Sequence, residues 1–174
     1  MINTEMIHLI LIDGSLAAIA AIGFAVISNP SRNAIAVSAL LAAIGHGLRF
    51  ALIHYARLDI SMATFVAASC IGLLSILFAR IIHCPAEVFS FPSLLPMIPG
   101  LFAYRTILGL IKFMRTTDVI KSQGFMLDFV HNGLTTLFIL FALVVGVSLP
   151  VLFFPKTSFS VSYTHLTLPT NREV

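Results

Sequence analysis

Charged residues are scarce in this sequence. Asp, Glu, Lys and Arg make up 10% of its 174 residues, whereas hydrophobic residues make up 59%. A soluble domain needs a charged surface, which typically takes about 25% of its residues. Because so few charges cannot coat a globule, most of the surface must face lipid. The composition therefore predicts a polytopic integral membrane protein.

The other scarcities exclude several classes of function. The net charge of +3 is small and the basic residues do not cluster, so the sequence predicts no nucleic-acid-binding surface. The two cysteines, Cys70 and Cys84, stand too far apart for a paired metal motif. The sequence contains no nucleophile elbow, phosphate-binding loop, paired-carboxylate site or metal-spaced histidine cluster. We therefore expect no catalytic residue, no metal and no cofactor.

Long apolar stretches make up most of the chain. A spanning helix needs about 20 mostly apolar residues, and five stretches of this kind are separated by short polar or proline-bearing segments. The sequence predicts an all-α membrane protein with a single transmembrane helical domain over residues 1–159. Its spans are expected at about residues 7–27, 33–53, 61–82, 97–114 and 128–154.

The segment before the fourth span is rich in proline. Pro85, Pro92, Pro96 and Pro99 lack amide donors and restrict the residues before them, so a continuous helix is not expected. The pattern predicts a short interfacial or re-entrant segment over residues 86–95 and then a helix that starts near Pro99. Backbone broken at membrane depth survives only where protein or a water-filled cavity supplies hydrogen-bond partners.

The basic residues of the predicted loops favour one orientation, because cytoplasmic loops carry an excess of Lys and Arg. The small excess favours a cytoplasmic N-terminus. On the N-terminal side the loops carry Arg57, Lys112, Arg115 and Lys121. On the opposite side they carry Arg32, Arg80 and Lys156.

Small residues recur at helical spacing in the first three spans, where they let neighbouring backbones approach closely. Such stripes serve either packing inside one subunit or the interface of a homo-oligomer, and the sequence leaves both open. The stripes are Gly14, Ala18 and Ala21, then Ser38, Ala42 and Gly45, and then Ala68, Gly72, Ser75 and Ala79.

The most notable charged group in a span is Gly45-His46-Gly47-Leu48-Arg49. His46 and Arg49 are three residues apart and share a helix face. The planar guanidinium of Arg49 suits a carboxylate, and His46 can carry a proton near neutral pH. The alternative is that Arg49 reaches the headgroups while His46 satisfies a neighbouring carbonyl.

Acidic and amide side chains occur in two other spans. Asp13 lies inside the first span, where it could pair with Arg49 or take part in proton coupling. Asp128 and Asn132 share a face at the start of the fifth span and are candidates for the same roles. For each of them the alternative is a place in the headgroup zone.

A third candidate region is Pro96-Met97-Ile98-Pro99-Gly100, which precedes Tyr104 and Arg105. A helix opened here offers free carbonyls and a positive helix N-terminus, which is how broken transporter helices hold anionic groups. A simple kink is the alternative. The candidates for a substrate pathway are His46, Arg49, Pro96, Pro99, Gly100, Tyr104 and Arg105.

The end of the chain has a different character. Residues 161–170 read as the in-frame translation of a sequencing adapter. We therefore expect residues 160–174 to be a non-native tail, and we place His165 in no site.

Two sequence blocks, taken together, are specific. They are Ala-Leu-Leu-Ala-Ala-Ile-Gly-His-Gly-Leu-Arg over residues 39–49 and Leu-Pro-Met-Ile-Pro-Gly-Leu-Phe-Ala-Tyr over residues 95–104. With them the chain resembles the threonine/serine exporter family from about residue 7 to residue 155. The resemblance is to the small-subunit form, which corresponds to the C-terminal half of the single-chain exporters.

The resemblance implies the export of small carboxylate metabolites across the bacterial cytoplasmic membrane. These would be threonine and serine, or C4-dicarboxylates such as succinate. It also implies a second membrane subunit of the same family. Two other functions stay open: a non-transporting accessory or assembly subunit, and a membrane-embedded enzyme that uses His46 or His131. We expect a transporter subunit and not an enzyme.

Overall fold

The computed structural model describes residues 4–28 and 30–154, and the predicted tail lies outside them. Within the described residues the chain forms α-helices and no strands, which confirms the all-α prediction. A short 3-10 helix, Leu95–Met97, joins the fourth and fifth helices. The helices are α1 (Thr4–Ile27), α2 (Arg32–His54), α3 (Ile60–Ile82), α4 (Glu87–Leu94), α5 (Gly100–Arg115) and α6 (Val119–Phe153).

Four of these helices, α1, α2, α3 and α6, are long and apolar enough to cross a membrane. The helical segments on either side of the proline-rich break, Glu87–Met97 and Gly100–Arg115, are bent by 47° and pass the same test together. The described residues thus hold four candidate spans, or five if the bent pair is one span.

The direction of α6 decides between these counts. Gly146 of α6 lies against Phe65 of α3, and further along both helices Val147 and Pro150 lie against Gly72. The two helices therefore run in the same direction. A re-entrant loop between them would return the chain to its starting side and make them antiparallel. One crossing must lie between α3 and α6, so the bent pair is a single broken span.

The break in this span lies at the middle of the neighbouring helices. The side chain of Met97 is buried and packs with Ile71 of α3 and Ile139 of α6. It also lies 2.9 Å from where a Cβ on Gly45 of α2 would stand. Ile71 is halfway along α3. The backbone is thus opened at mid-membrane depth, where an unpaired polar group is most costly.

Serine hydroxyls fix the first half of the broken span to α2. The hydroxyl of Ser93 lies 2.9 Å from the backbone oxygen of Ser38 and 2.6 Å from that of Phe89, and its one proton is shared between them. The hydroxyl of Ser38 lies 3.5 Å from the backbone oxygen of Val88, which lacks its usual helical donor because residue 92 is a proline. The one proton of the Ser38 hydroxyl goes mainly to the backbone oxygen of Ala34 at 2.9 Å, so the contact with Val88 compensates only weakly for Pro92.

The last helix begins earlier than the sequence predicts. A span was expected over residues 128–154, but α6 starts at Val119. Asp118 caps it by accepting hydrogen bonds from the amides of Ile120 and Lys121. With 35 residues, α6 is about 52 Å long, whereas a bilayer core is about 30 Å thick. Part of α6 therefore extends past the hydrocarbon.

Close packing of α3 on α6 gives a test of this fold. In Gly146→Ala the new Cβ would lie 2.8 Å from the backbone oxygen of Phe65 and 2.9 Å from the Cβ of Ala68. Overpacking of this kind costs about 1–3 kcal/mol, so we expect a lower thermal unfolding midpoint in detergent by circular dichroism. Gly124→Ala is the matched control, since a Cβ there meets nothing within 4 Å. Equal midpoints for the two variants would contradict the packing.

Candidate functional site

A hydrogen-bonded pair of ionisable side chains joins α1 to α2. The Nδ1 atom of His46 lies 3.0 Å from the Oδ2 atom of Asp13. Glycines permit this approach, because a Cβ on Gly14 would lie 3.0 Å from the backbone oxygen of Ala43. The register of α1 on α2 therefore places the carboxylate of Asp13 on the imidazole of His46.

Arg49 connects this pair to the broken span. Its Nη1 atom donates to the backbone oxygen of Met97 at 3.3 Å, and the break deprives that oxygen of a regular helical partner. The carboxylate of Asp13 also lies within Coulombic range of the Arg49 guanidinium. Asp13, His46, Arg49 and the Met97 carbonyl form one group, called here the break cluster, at mid-membrane depth.

Two members of the break cluster keep unused hydrogen-bonding capacity. The side chain of His46 is only 11% exposed, and its Nε2 atom has no partner within the part of the chain that the structure describes. A guanidinium has five N–H donors, of which one is used on Met97. The break cluster can therefore accept a proton at Nε2 of His46 and an anionic oxygen at Arg49.

The remaining candidates around the break have different places. Pro99 is buried and forms the N-cap of α5. Gly100 is exposed, and a Cβ there would meet nothing within 4 Å, so packing does not require a glycine. Pro96 lies within the 3-10 helix. Tyr104 is largely exposed. The structure thus brings the prolines to the break cluster but not Tyr104.

A second polar group lies between α5 and α6, away from the break cluster. Arg105 and Lys112 of α5 and Asp128 and Asn132 of α6 line a cleft of about 340 Å³, called here the α5–α6 cleft. Sequence analysis assigned Lys112 to a loop and missed it as a site residue. Its spacing of seven from Arg105, which places both on one face of a helix, is the signal that would have found it.

No metal centre accompanies these groups in the described parts of the chain, which hold no cluster of three or more His, Cys, Asp or Glu side chains suited to a metal ion. His131, the other candidate for enzymatic chemistry, is exposed on α6.

A cluster of ionisable side chains at the break of a membrane helix is typical of secondary transporters. The family model of the threonine/serine exporter, ThrE, matches residues 13–153. The chain belongs to this family, which confirms the resemblance noted in the sequence and marks the protein as a multi-pass membrane transport protein. The matched range includes the break cluster and the α5–α6 cleft. No solved structure matches the chain.

A double-mutant cycle tests the pairing within the break cluster. Asp13→Asn and His46→Gln should be non-additive in the free energy of unfolding, because contacting residues couple by about 0.5–3 kcal/mol. The exposed pair of Lys121 and Asp118, 3.4 Å apart, is the control and should couple by about 0–1 kcal/mol. Unfolding of the four proteins of each cycle in mixed detergent micelles measures both couplings. Additive effects at Asp13 and His46 would contradict the contact.

Proposed function

We propose that this chain is a subunit of a secondary transporter that exports small carboxylate metabolites from the bacterial cytoplasm. The substrates are threonine and serine or C4-dicarboxylates such as succinate. One observation carries the proposal: Arg49 donates to the carbonyl that a broken span leaves open, at mid-membrane depth and beside the hydrogen-bonded Asp13–His46 pair. Membership of the threonine/serine exporter family supports the amino-acid branch.

The contact of Arg49 with Met97 is exchangeable. A carbonyl oxygen is a neutral acceptor, whereas a carboxylate forms charge-assisted hydrogen bonds that are roughly twice as strong. A substrate carboxylate can therefore displace the Met97 oxygen from Arg49. That exchange releases the break, whose α4 side is held to α2 by Ser93 and whose α5 side packs on α6. The result is a ligand-dependent hinge of the kind that alternating access requires.

The Asp13–His46 pair provides a route for proton coupling. With Asp13 ionised, Arg49 charged and His46 neutral, the three side chains carry no net charge. A proton bound at the free Nε2 atom of His46 adds one positive charge next to Arg49. The protonated cluster then favours an anionic substrate group, and the loss of the proton weakens its binding.

The orientation of the chain in the membrane and its assembly with a partner subunit also belong to the proposed function. The excess of basic residues in the loops supports a cytoplasmic N-terminus in the bacterial inner membrane. A second membrane subunit of the same family would cover α5, of which Gly109 is the only buried residue. The small-residue stripes are less suited to a homo-oligomer, because Gly14, Gly45 and Gly72 pack against other helices of the same chain.

The exposed flank of α5 also favours a second candidate function, a non-transporting accessory or assembly subunit that docks its partner there. A photoreactive analogue of the substrate separates the two. Crosslinking to this chain, competed by unlabelled substrate, supports a transporting subunit. Crosslinking to the partner alone would support the accessory role.

Arg49→Ala tests the substrate pathway. Removing a charged hydrogen-bond donor from a substrate costs about 1.5–3 kcal/mol, so we expect uptake into inverted membrane vesicles to fall at least about tenfold. Arg80→Ala is the control, since Arg80 is exposed in the last turn of α3. Immunoblotting of the vesicles shows whether each variant inserts. Unchanged flux in a correctly inserted Arg49→Ala protein would remove Arg49 from the pathway.

Asp13→Asn tests the coupling. Without the carboxylate, the proton on His46 loses its partner, so substrate flux should stop responding to an imposed pH gradient while substrate exchange at equal pH continues. The measurement is uptake into inverted vesicles with and without a proton gradient. Asp118→Asn, at the exposed cap of α6, should keep the full response. A full response in Asp13→Asn would exclude the pair from coupling.

A further inference from the structure

We infer that the α5–α6 cleft is the recognition site for the charged head of an α-amino acid, with the carboxylate on Arg105 and Lys112 and the ammonium on Asp128. This inference rests on the proposed export function and assigns its substrate site and substrate class. It is separate from the break cluster, where the substrate carboxylate displaces the Met97 oxygen from Arg49 at a later step of transport.

The charges of this cleft are not used on one another. Arg105 and Lys112 line the same cleft as Asp128, yet none of the three makes an ion pair within the described residues. Lys112 instead lies over the ring of Phe125, 5.6 Å from its centroid. Opposite charges that share a cleft without pairing leave both signs available to a ligand that carries both.

The position of the cleft along α5 and α6 decides from where a ligand can reach it. Arg105 lies five residues beyond Gly100, where α5 leaves the mid-membrane break. Five residues of helix rise about 7.5 Å, well within the half-thickness of a bilayer core of about 30 Å. Lys112, about 10 Å further along the helix, reaches the headgroup zone. Asp128, however, lies about 27 Å along α6 from Gly146, which packs against the middle of α3. The cleft therefore opens at the membrane surface, where a substrate from water can reach its charges.

A buried amide provides an independent sign of a ligand. Asn132 lines the cleft and is only 8% exposed. Its Nδ2 group donates to the backbone oxygen of Asp128 at 2.7 Å, which fixes the orientation of the amide. Its Oδ1 atom has no hydrogen-bond partner among residues 4–28 and 30–154. This acceptor is open to the cleft, so it can accept a hydrogen bond from an ammonium or a hydroxyl that enters there.

A glycine sets the floor of the cleft. A Cβ on Gly109 would lie 3.0 Å from the backbone nitrogen of Phe129 and 3.3 Å from the backbone oxygen of Phe125. The absence of a side chain there lets α5 and α6 approach closely, so that Arg105 and Asp128 face one small space. Its volume, about 340 Å³, is at the lower end of the range for ligand pockets, which suits a small metabolite.

The mixture of charges selects among anionic ligands. An α-amino acid places its carboxylate near two cations and its ammonium near a carboxylate and an amide oxygen. A C4-dicarboxylate would gain the cations but would set its second carboxylate against Asp128, and like charges at such a distance disfavour binding. The phosphate of an anionic lipid would use Arg105 and Lys112 but leave Asp128 and Asn132 without a partner.

The experiment compares serine with glycerate, which carries a hydroxyl where serine carries its ammonium. Concentration-dependent uptake is measured in inverted vesicles from the native host, where any partner subunit is present. Asp128→Asn should raise the KM for serine about ten- to hundredfold and leave the KM for glycerate unchanged or lower. Asp128→Glu should restore much of the preference for serine. Arg105→Gln should raise both KM values.

Asp118→Asn and Arg115→Gln are the matched controls, since both residues lie on the same two-helix unit, outside the cleft, and should change neither KM. Equal effects of Asp128→Asn on serine and glycerate, or no effect on either, would overturn the inference. The inference would also be overturned if the serine KM in proteoliposomes rose with phosphatidylglycerol content equally in the original protein and in Asp128→Asn. That result would mean that the cleft holds a lipid phosphate.

Failure of the proposed function has a different signature. If vesicles with the unmodified chain transport neither amino acids nor dicarboxylates, the export proposal fails. Equilibrium binding of radiolabelled serine to the same membranes then still tests the cleft. Binding that Asp128→Asn weakens at least about tenfold supports the recognition site, and binding that it leaves unchanged contradicts it.

Discussion

The whole arrangement depends on one constraint, that a polar group in hydrocarbon must have a partner. Prolines at positions 96 and 99 open the backbone of the broken span at mid-membrane depth, and the buried Met97 carbonyl lacks its regular helical donor as a result. Arg49 satisfies it. The guanidinium is itself a charge that must be balanced at that depth, and Asp13 and His46 provide its surroundings. The broken span, Arg49 and the Asp13–His46 pair therefore depend on one another for their hydrogen-bond and charge partners.

Because of this interdependence, the same contacts serve both the stability of the fold and its function. The hydrogen bond of Arg49 with Met97 stabilises the break, yet a substrate carboxylate competes for the same donors. A stabilising contact that a ligand can replace at little net cost is what a two-state hinge requires. The serine contacts between α2 and α4 have no such competitor, because Ser38 and Ser93 are buried among helices of the chain. They fix one side of the break while the other side remains tied to α6.

Some of these features can be predicted from the sequence and others cannot, and the difference has physical reasons. Proline chemistry is local, so the broken span follows from the sequence itself, and so does the shared face of His46 and Arg49. The contact between Asp13 and His46 is not local, because it depends on the register of α1 on α2, which close packing at Gly14 decides. The start of α6 was placed too late, since the residues between Val119 and Gly133 are too polar for an apolar-run criterion although Asp118 caps a helix there.

The same polar stretch of α6 explains why the sequence analysis assigned the residues of the α5–α6 cleft to different roles. Arg105 was assigned to a substrate pathway and Asp128 to proton coupling, because they lie on different helices and no motif joins them. The antiparallel packing of α5 on α6 through Gly109 brings them to one cleft. α5 connects that cleft to the break, because Gly100 begins the helix on which Arg105 lies. A ligand that draws α5 toward α6 through Arg105 would therefore pull directly on the carbonyl that Arg49 holds. The same helix, α5, would then serve both substrate recognition and the movement of the hinge.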